Sequence, residues 1–239
     1  PATRGSDGLR HAISDWLRNR FDVTASAEQH ILPVNGTREA LFAFAQAVLS
    51  GRPQSLVGMP NPFYQIYEGA ALLAGAQPYY MANTAHSDYA ADYDAVSDET
   101  WDAMELLYIC SPGNPTGHLI SDVQTQRLIA RAHSHDFIIA ADECYSEIYF
   151  SEQNRPSSLL AASEAMGNKE FARCVVFHSL SKRSNLPGLR SGFVAGDAGI
   201  IEKFLLYRTY HGFPMGTRKP PPSKLDTVVI STCKSTWAL

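Results

Sequence analysis

The chain has 239 residues, 45% of them hydrophobic, and a formal charge of −4 from 20 Lys and Arg against 24 Asp and Glu. That is enough apolar material for one large domain or two small ones with a real core, which excludes a disordered or fibrous protein. The acidic balance leaves no footprint for nucleic acid, no apolar run approaches a bilayer span, and Pro1 opens no signal peptide, so the expectation is a soluble, cytoplasmic protein without nucleic-acid or membrane partners.

The chain enters an amphipathic helix almost at once, in PATRGSDGLRHAISDWLRNRF. Short apolar, β-rich runs follow at 30–34, 55–59, 78–81, 106–110, 137–141, 174–178 and 192–195, with helix-like stretches between them at 38–49, 65–74, 122–134 and 199–210. This alternation predicts βαβ units, and so an α/β fold with a mostly parallel sheet sandwiched by helices. Ser121 is expected to cap the helix that starts at Asp122, and Gly51 to close the one that ends near Leu49. Cys110, Cys144, Cys174 and Cys233 form no C-x-x-C pair, and His133 and His135 point apart on a helix, so neither a disulfide framework nor a metal is expected. The first three cysteines read as small core residues. From 213 to 239 the pattern breaks: Pro214, Pro220, Pro221 and Pro222 stand among four Lys and Arg and one acid.

In a parallel sheet, ligands bind beyond the carboxyl ends of the strands, so the residues that directly follow each run are the informative ones. Asn35-Gly36-Thr37-Arg38 opens a helix on a glycine and leaves its first N–H groups for an anion, although many helices begin this way. Ser111-Pro112-Gly113-Asn114-Pro115-Thr116-Gly117 is a rigid turn that fixes Asn114, and by itself it reads as a plain turn. Asp142 ends an apolar run, where an unpaired carboxylate is unfavourable, so it should have a cationic or N–H partner. Ser179, Ser181 and Lys182 follow the next run, with Arg190 eight residues on. Singly, each fits a solvated loop; together, two hydroxyls, an amine and a forked guanidinium suit a phosphate. Lys182 stays open between a surface charge, a phosphate ligand and a nucleophile.

In this order, N-G-T-R, N-P-F-Y, S-P-G-N-P-T-G, D-E-C-Y and S-L-S-K with G-L-R resemble the pyridoxal-phosphate site of class I/II aminotransferases, with the aspartate aminotransferase fold, over roughly residues 2–212. PVNGTREALFAFAQAV further resembles the succinyldiaminopimelate aminotransferase branch, which serves bacterial lysine synthesis. The resemblance implies the large cofactor domain of a homodimeric, pyridoxal 5′-phosphate-dependent enzyme that moves an amino group between an amino acid and a 2-oxo acid. It assigns Lys182, expected to be partly buried, as the Schiff-base lysine and proton shuttle, and Asp142 as the partner of the pyridinium nitrogen. Tyr145 and Asn114 are assigned to the phenolic oxygen and Tyr64 to the ring face. Gly36, Thr37, the amide of Arg38, Ser179, Ser181 and Arg190 are assigned to the phosphate. The family's carboxylate-clamping arginine, from a small C-terminal domain, and its N-terminal segment are not recognisable. Residues 1–212 are therefore expected to be a large domain cut at its start, 213–239 a foreign or out-of-frame tail, and the chain as it stands a poor cofactor binder with little activity. A non-catalytic cofactor-sensing domain or a pyridoxal-phosphate-dependent lyase are the alternatives, since the lysine and aspartate would be the same.

Overall fold

Side-chain alternation along buried strands organises the molecule, which we describe from a computed structural model over residues 3–211. The tail read as foreign, with Cys233, lies outside the described residues. In chain order the elements are α1 (Asp7–Phe21), β1 (Ile31–Val34), α2 (Thr37–Val48), β2 (Leu56–Asn61), α3 (Ile66–Leu73), β3 (Gln77–Ala82), α4 (Asp98–Ala103), β4 (Met104–Cys110), α5 (Asp122–His135), β5 (Ile138–Asp142), α6 (Leu159–Ala165), β6 (Cys174–Ser179), α7 (Leu180–Arg183), β7 (Gly192–Gly196) and α8 (Ala198–His211). The strands form one sheet in the order β1-β7-β6-β5-β4-β2-β3. Only β7 runs against its neighbours, so the other six point the same way. The sheet is thus mostly parallel and covered by helices, as predicted.

Because successive strand residues face opposite sides, β5 and β6 each feed two cores. Ile139, Ala141, Cys174 and Val176 pack with Trp16 and Leu17 of α1, Leu128 and Ile129 of α5 and Leu160 of α6. Ala140, Val175 and Phe177 pack on the other face with Phe44 of α2, Ala70 of α3 and Phe204 of α8. Cys110, Cys144 and Cys174 are buried free thiols, in keeping with their reading as core residues. No helix among the described residues is long and apolar enough to cross a membrane.

Ser121 caps α5 as expected, its side chain accepting from the Gln124 N–H, and Ser6 does the same for α1 through the Leu9 N–H. Gly51 does not close α2: the helix ends at Leu49, extended and donating to the Ala45 carbonyl, and Gly51 turns the chain two residues later at φ 74°. Helices α4, α6 and α7 were not predicted. None exceeds two turns, too short for a helical period to register, and they form because Trp101, Leu159, Leu160 and Leu180 are buried.

Phe44 meets Phe177 edge-on at 5.2 Å and Phe204 at 5.5 Å, fully buried where α2 and α8 cross the sheet. Phe44→Ala should therefore cost about 3–5 kcal/mol of unfolding free energy. A loss below about 1 kcal/mol by urea denaturation, the scale of an ordinary surface substitution, would show that this layer is loosely packed.

Candidate active site

Since six strands run parallel, their carboxyl ends share one edge of the sheet, and the loops that leave it enclose a cleft of about 480 Å³. Every residue that the family resemblance assigned to the cofactor lines this cleft except Gly36, which lies under Arg190. Residues from five separate segments, spread from Thr37 to Arg190, are brought together by the topology alone.

One end of the cleft is built for an anion. Gly36 caps α2 at φ 91°, a conformation that side chains disfavour, and a Cβ there would collide with Nη2 of Arg190 and lie 2.9 Å from its Cζ. The missing side chain lets the guanidinium sit over the start of a twelve-residue helix, where free N–H groups already concentrate positive potential. Two positive ends facing each other are favourable only with negative charge between or beside them. In the structure Glu39 Oε2 takes part of that role, 3.2 Å from Arg190 Nη2, but both side chains are about half exposed and the pair is weak. Three hydroxyls complete this end. The side chain of Ser179, at the end of β6, accepts from the Ser181 N–H at 3.1 Å and donates to the Ser181 hydroxyl at 2.9 Å. The Thr37 hydroxyl lies 3.2 Å from Cys144 Sγ. The Arg38 side chain donates from Nε to the Tyr64 hydroxyl at 2.9 Å.

The other end is built around Asp142, the last residue of β5, whose relative exposure is 4%. Its Oδ2 accepts from the Tyr67 hydroxyl at 2.8 Å and its Oδ1 from the Cys144 N–H at 3.3 Å. The expectation of an N–H partner is met; no cation forms an ion pair with it among the described residues. Burial pushes its pKa above the ordinary carboxylate value, against the pull of the Cys144 thiol, the Tyr67 hydroxyl, the Cys144 N–H and His178. A carboxylate with neutral donors behind it and a cleft in front of it fits a cationic N–H that arrives with a ligand.

Lys182, Tyr145, Asn114 and Tyr64 line the same cleft. Lys182 is exposed rather than partly buried as expected, because α7 is a single turn at the rim of the sheet and not an extension of β6. Tyr145 is half-buried, and burial raises its pKa. Sequence reading missed Tyr67, Cys144 and Glu39. Tyr67 follows Tyr64 by three residues, and that spacing was the available signal. It also missed a buried pair beneath the site: His178 Nε2 lies 3.0 Å from Glu143 Oε2, without the angle of a linear hydrogen bond. Glu143 Oε1 accepts from the Leu159 N–H at 2.7 Å, which ties the end of β5 to α6.

The raised pKa of Asp142 has a consequence for stability. The folded chain holds this proton to higher pH than the unfolded chain, so the carboxyl's favourable contribution is full below its unfolded pKa and is lost as pH rises through the folded one. In cofactor-free protein Asp142→Asn should then raise the urea midpoint at neutral pH, and the gap should close at acid pH. An equal or lower midpoint at neutral pH would mean that the carboxylate's hydrogen bonds outweigh its burial.

Residues 1–209 match the family model described as aminotransferase class I and II. The LL-diaminopimelate aminotransferase of Maridesulfovibrio salexigens is 34% identical over 201 residues, 84% of this chain and 50% of that protein. Among solved structures, an aminotransferase from Neisseria meningitidis superposes with a TM-score of 0.85 at 42% identity, covering 98% of this chain and 56% of that one. A structure described as a probable N-succinyldiaminopimelate aminotransferase from Thermus thermophilus superposes with a TM-score of 0.82 over 98% of this chain and 61% of that one; at 23% identity the likeness speaks for the fold alone. The chain thus spans about half the length of the curated relatives it matches. On its sequence, its sheet and its site, it belongs to the class I and II aminotransferase family.

Proposed function

We propose that this chain carries the cofactor site of a pyridoxal 5′-phosphate-dependent aminotransferase that moves an amino group from an amino acid to a 2-oxo acid, with a diaminopimelate-type donor as in bacterial lysine synthesis. The observation that carries the reading is that the Arg190 guanidinium over Gly36 and a buried carboxylate, Asp142, which forms no ion pair among the described residues, share one cleft. A ligand with a phosphate at one end and a protonatable ring nitrogen at the other satisfies both. The donor class is suggested by the name of the M. salexigens relative and by the stretch PVNGTREALFAFAQAV.

When bound, pyridoxal 5′-phosphate supplies a carbon that accepts the amine and a ring that takes up the electron pair left at the substrate Cα. The rest is done by side chains. Arg190 holds the phosphate with its fork while Ser179, Ser181, Thr37 and the amides that open α2 at Gly36, Thr37 and Arg38 complete its hydrogen bonds. Asp142 keeps a proton on the ring nitrogen, since an ionised carboxylate in a dry site favours a cation beside it. Tyr64 packs on the ring face, a contact worth about 0.5–1.5 kcal/mol beyond area burial. Tyr145 and Asn114 donate hydrogen bonds to the phenolic oxygen. Lys182 gives the amine that anchors the group covalently, and its Nζ takes the proton from the substrate Cα. A homodimer is part of the same proposal, as is the assignment of residues 1–212 to a large cofactor domain.

Arg190→Ala should weaken pyridoxal 5′-phosphate binding by about 1.5–3 kcal/mol, roughly tenfold to a hundredfold, the loss of one charged hydrogen-bonding partner. An unchanged dissociation constant would place Arg190 outside the site. The reaction itself is tested by supplying the protein with cofactor, a 2-oxo acid and either LL-diaminopimelate or its N-succinyl derivative, and measuring the new amino acid. Formation from one donor in preference to the other fixes the substrate; formation from neither, in a chain extended at both ends and with cofactor bound, favours the sensing reading.

A further inference from the structure

Tyr67 lies in the first turn of α3, three residues after Tyr64, and is fully buried. Its hydroxyl donates to Asp142 Oδ2 at 2.8 Å, and its ring meets the ring of Tyr64 edge-on at 5.9 Å. It is held from behind: the ring stacks on Tyr108 at 4.7 Å and 11°, and the Tyr108 hydroxyl is itself fixed on the Leu41 carbonyl at 2.8 Å. One immobile side chain therefore touches both the carboxylate and the aromatic ring that face the cleft. Burial pushes the Tyr67 phenol well above its ordinary pKa, so it stays protonated and acts toward Asp142 only as a donor. The other donors both come from Cys144: its N–H, longer at 3.3 Å, and its thiol.

We propose that Tyr67 is a positioning residue of the cofactor site, fixing the rotation of the Asp142 carboxylate and its ionised form, and bracing Tyr64 from the same ring. This rests on the reading of Asp142 as the partner of the ring nitrogen. Removing the hydroxyl leaves the buried carboxylate with only its Cys144 contacts, the thiol and the long N–H bond, which favours the protonated acid, and a protonated acid no longer favours a cation on its neighbour. A tyrosine that only fills the core would lose stability on substitution and do nothing specific to Asp142.

The test is a cycle of dissociation constants for pyridoxal 5′-phosphate, measured by equilibrium dialysis on wild type, Tyr67→Phe, Asp142→Asn and the double variant. Phenylalanine keeps the stack on Tyr108. Tyr67→Phe should weaken binding about tenfold, from one hydrogen bond to a charged group, and the double variant should bind within about twofold of Asp142→Asn alone, since the two changes break one interaction. The groups that face Asp142 are the hydroxyls of Tyr67 and Tyr145, the thiols of Cys110 and Cys144 and the imidazole of His178. With the Tyr67 donor gone, Asp142 protonates at higher pH, so the acid limb of the affinity profile should move upward in pH. Tyr108→Phe, which removes an equally buried hydroxyl, should lower the urea midpoint yet leave both the dissociation constant and that limb in place. An unchanged constant in Tyr67→Phe, or an equal loss in both backgrounds, would overturn the inference. If Asp142→Asn itself binds like wild type, the reading of Asp142 fails and the inference with it; if Asp142→Asn weakens binding and Tyr67→Phe does not, only the inference fails.

Discussion

A carboxylate at the centre of a sheet edge, shielded from water and met only by neutral donors, is the constraint on which the rest of this molecule turns. Asp142 sits between Cys110 of β4 and Phe177 of β6 in the register of the parallel strands, so it cannot swing out to solvent without breaking the sheet. Its burial is unfavourable for the bare protein and useful to a ligand that brings a positive charge. Stability and function pull apart at this residue, as they often do where a site is prepared in advance of its ligand. The Tyr67 and Tyr108 stack and the Glu143 and His178 pair surround Asp142 with buried neighbours.

The anion end follows a different logic and needs no burial. A helix that begins immediately after β1 presents its N–H groups at the same sheet edge, and the absence of a side chain at Gly36 admits Arg190 from the far end of the chain. The strand β7, the one reversed strand, is what brings Arg190 there: it pairs with both β1 and β6, so the loop that precedes it passes over the start of α2. Topology thus sets the Arg190 guanidinium against the start of α2, two positive ends that favour an anion beside them.

Much of this was legible in the order of residues. The apolar runs at 106–110, 137–141 and 174–178 mark central strands because their two faces are both buried, and the polar residues that end them stand where parallel sheets bind ligands. The motifs carried the identity of those residues. What escaped was what only packing decides. Tyr67 reads as one more aromatic in NPFYQIYEGA, and nothing local tells which carboxylate its hydroxyl will meet 75 residues away. Short helices such as α4 and α7 lack the length for a period, and the exposure of Lys182 follows from α7 being a single turn at the rim. The close approach of Arg190 to Gly36 was hidden for the same reason: 154 residues separate the partners, and only the sheet order joins them.

The central claim is that this cleft takes pyridoxal 5′-phosphate with Lys182 as its covalent anchor. Incubation of the protein with the cofactor, reduction with borohydride and peptide mapping by mass spectrometry test it directly. The account predicts the adduct on the peptide that carries Lys182, in substantially greater yield than on those carrying Lys169 or Lys203. An adduct spread evenly over the lysines, or concentrated on another one, would contradict it.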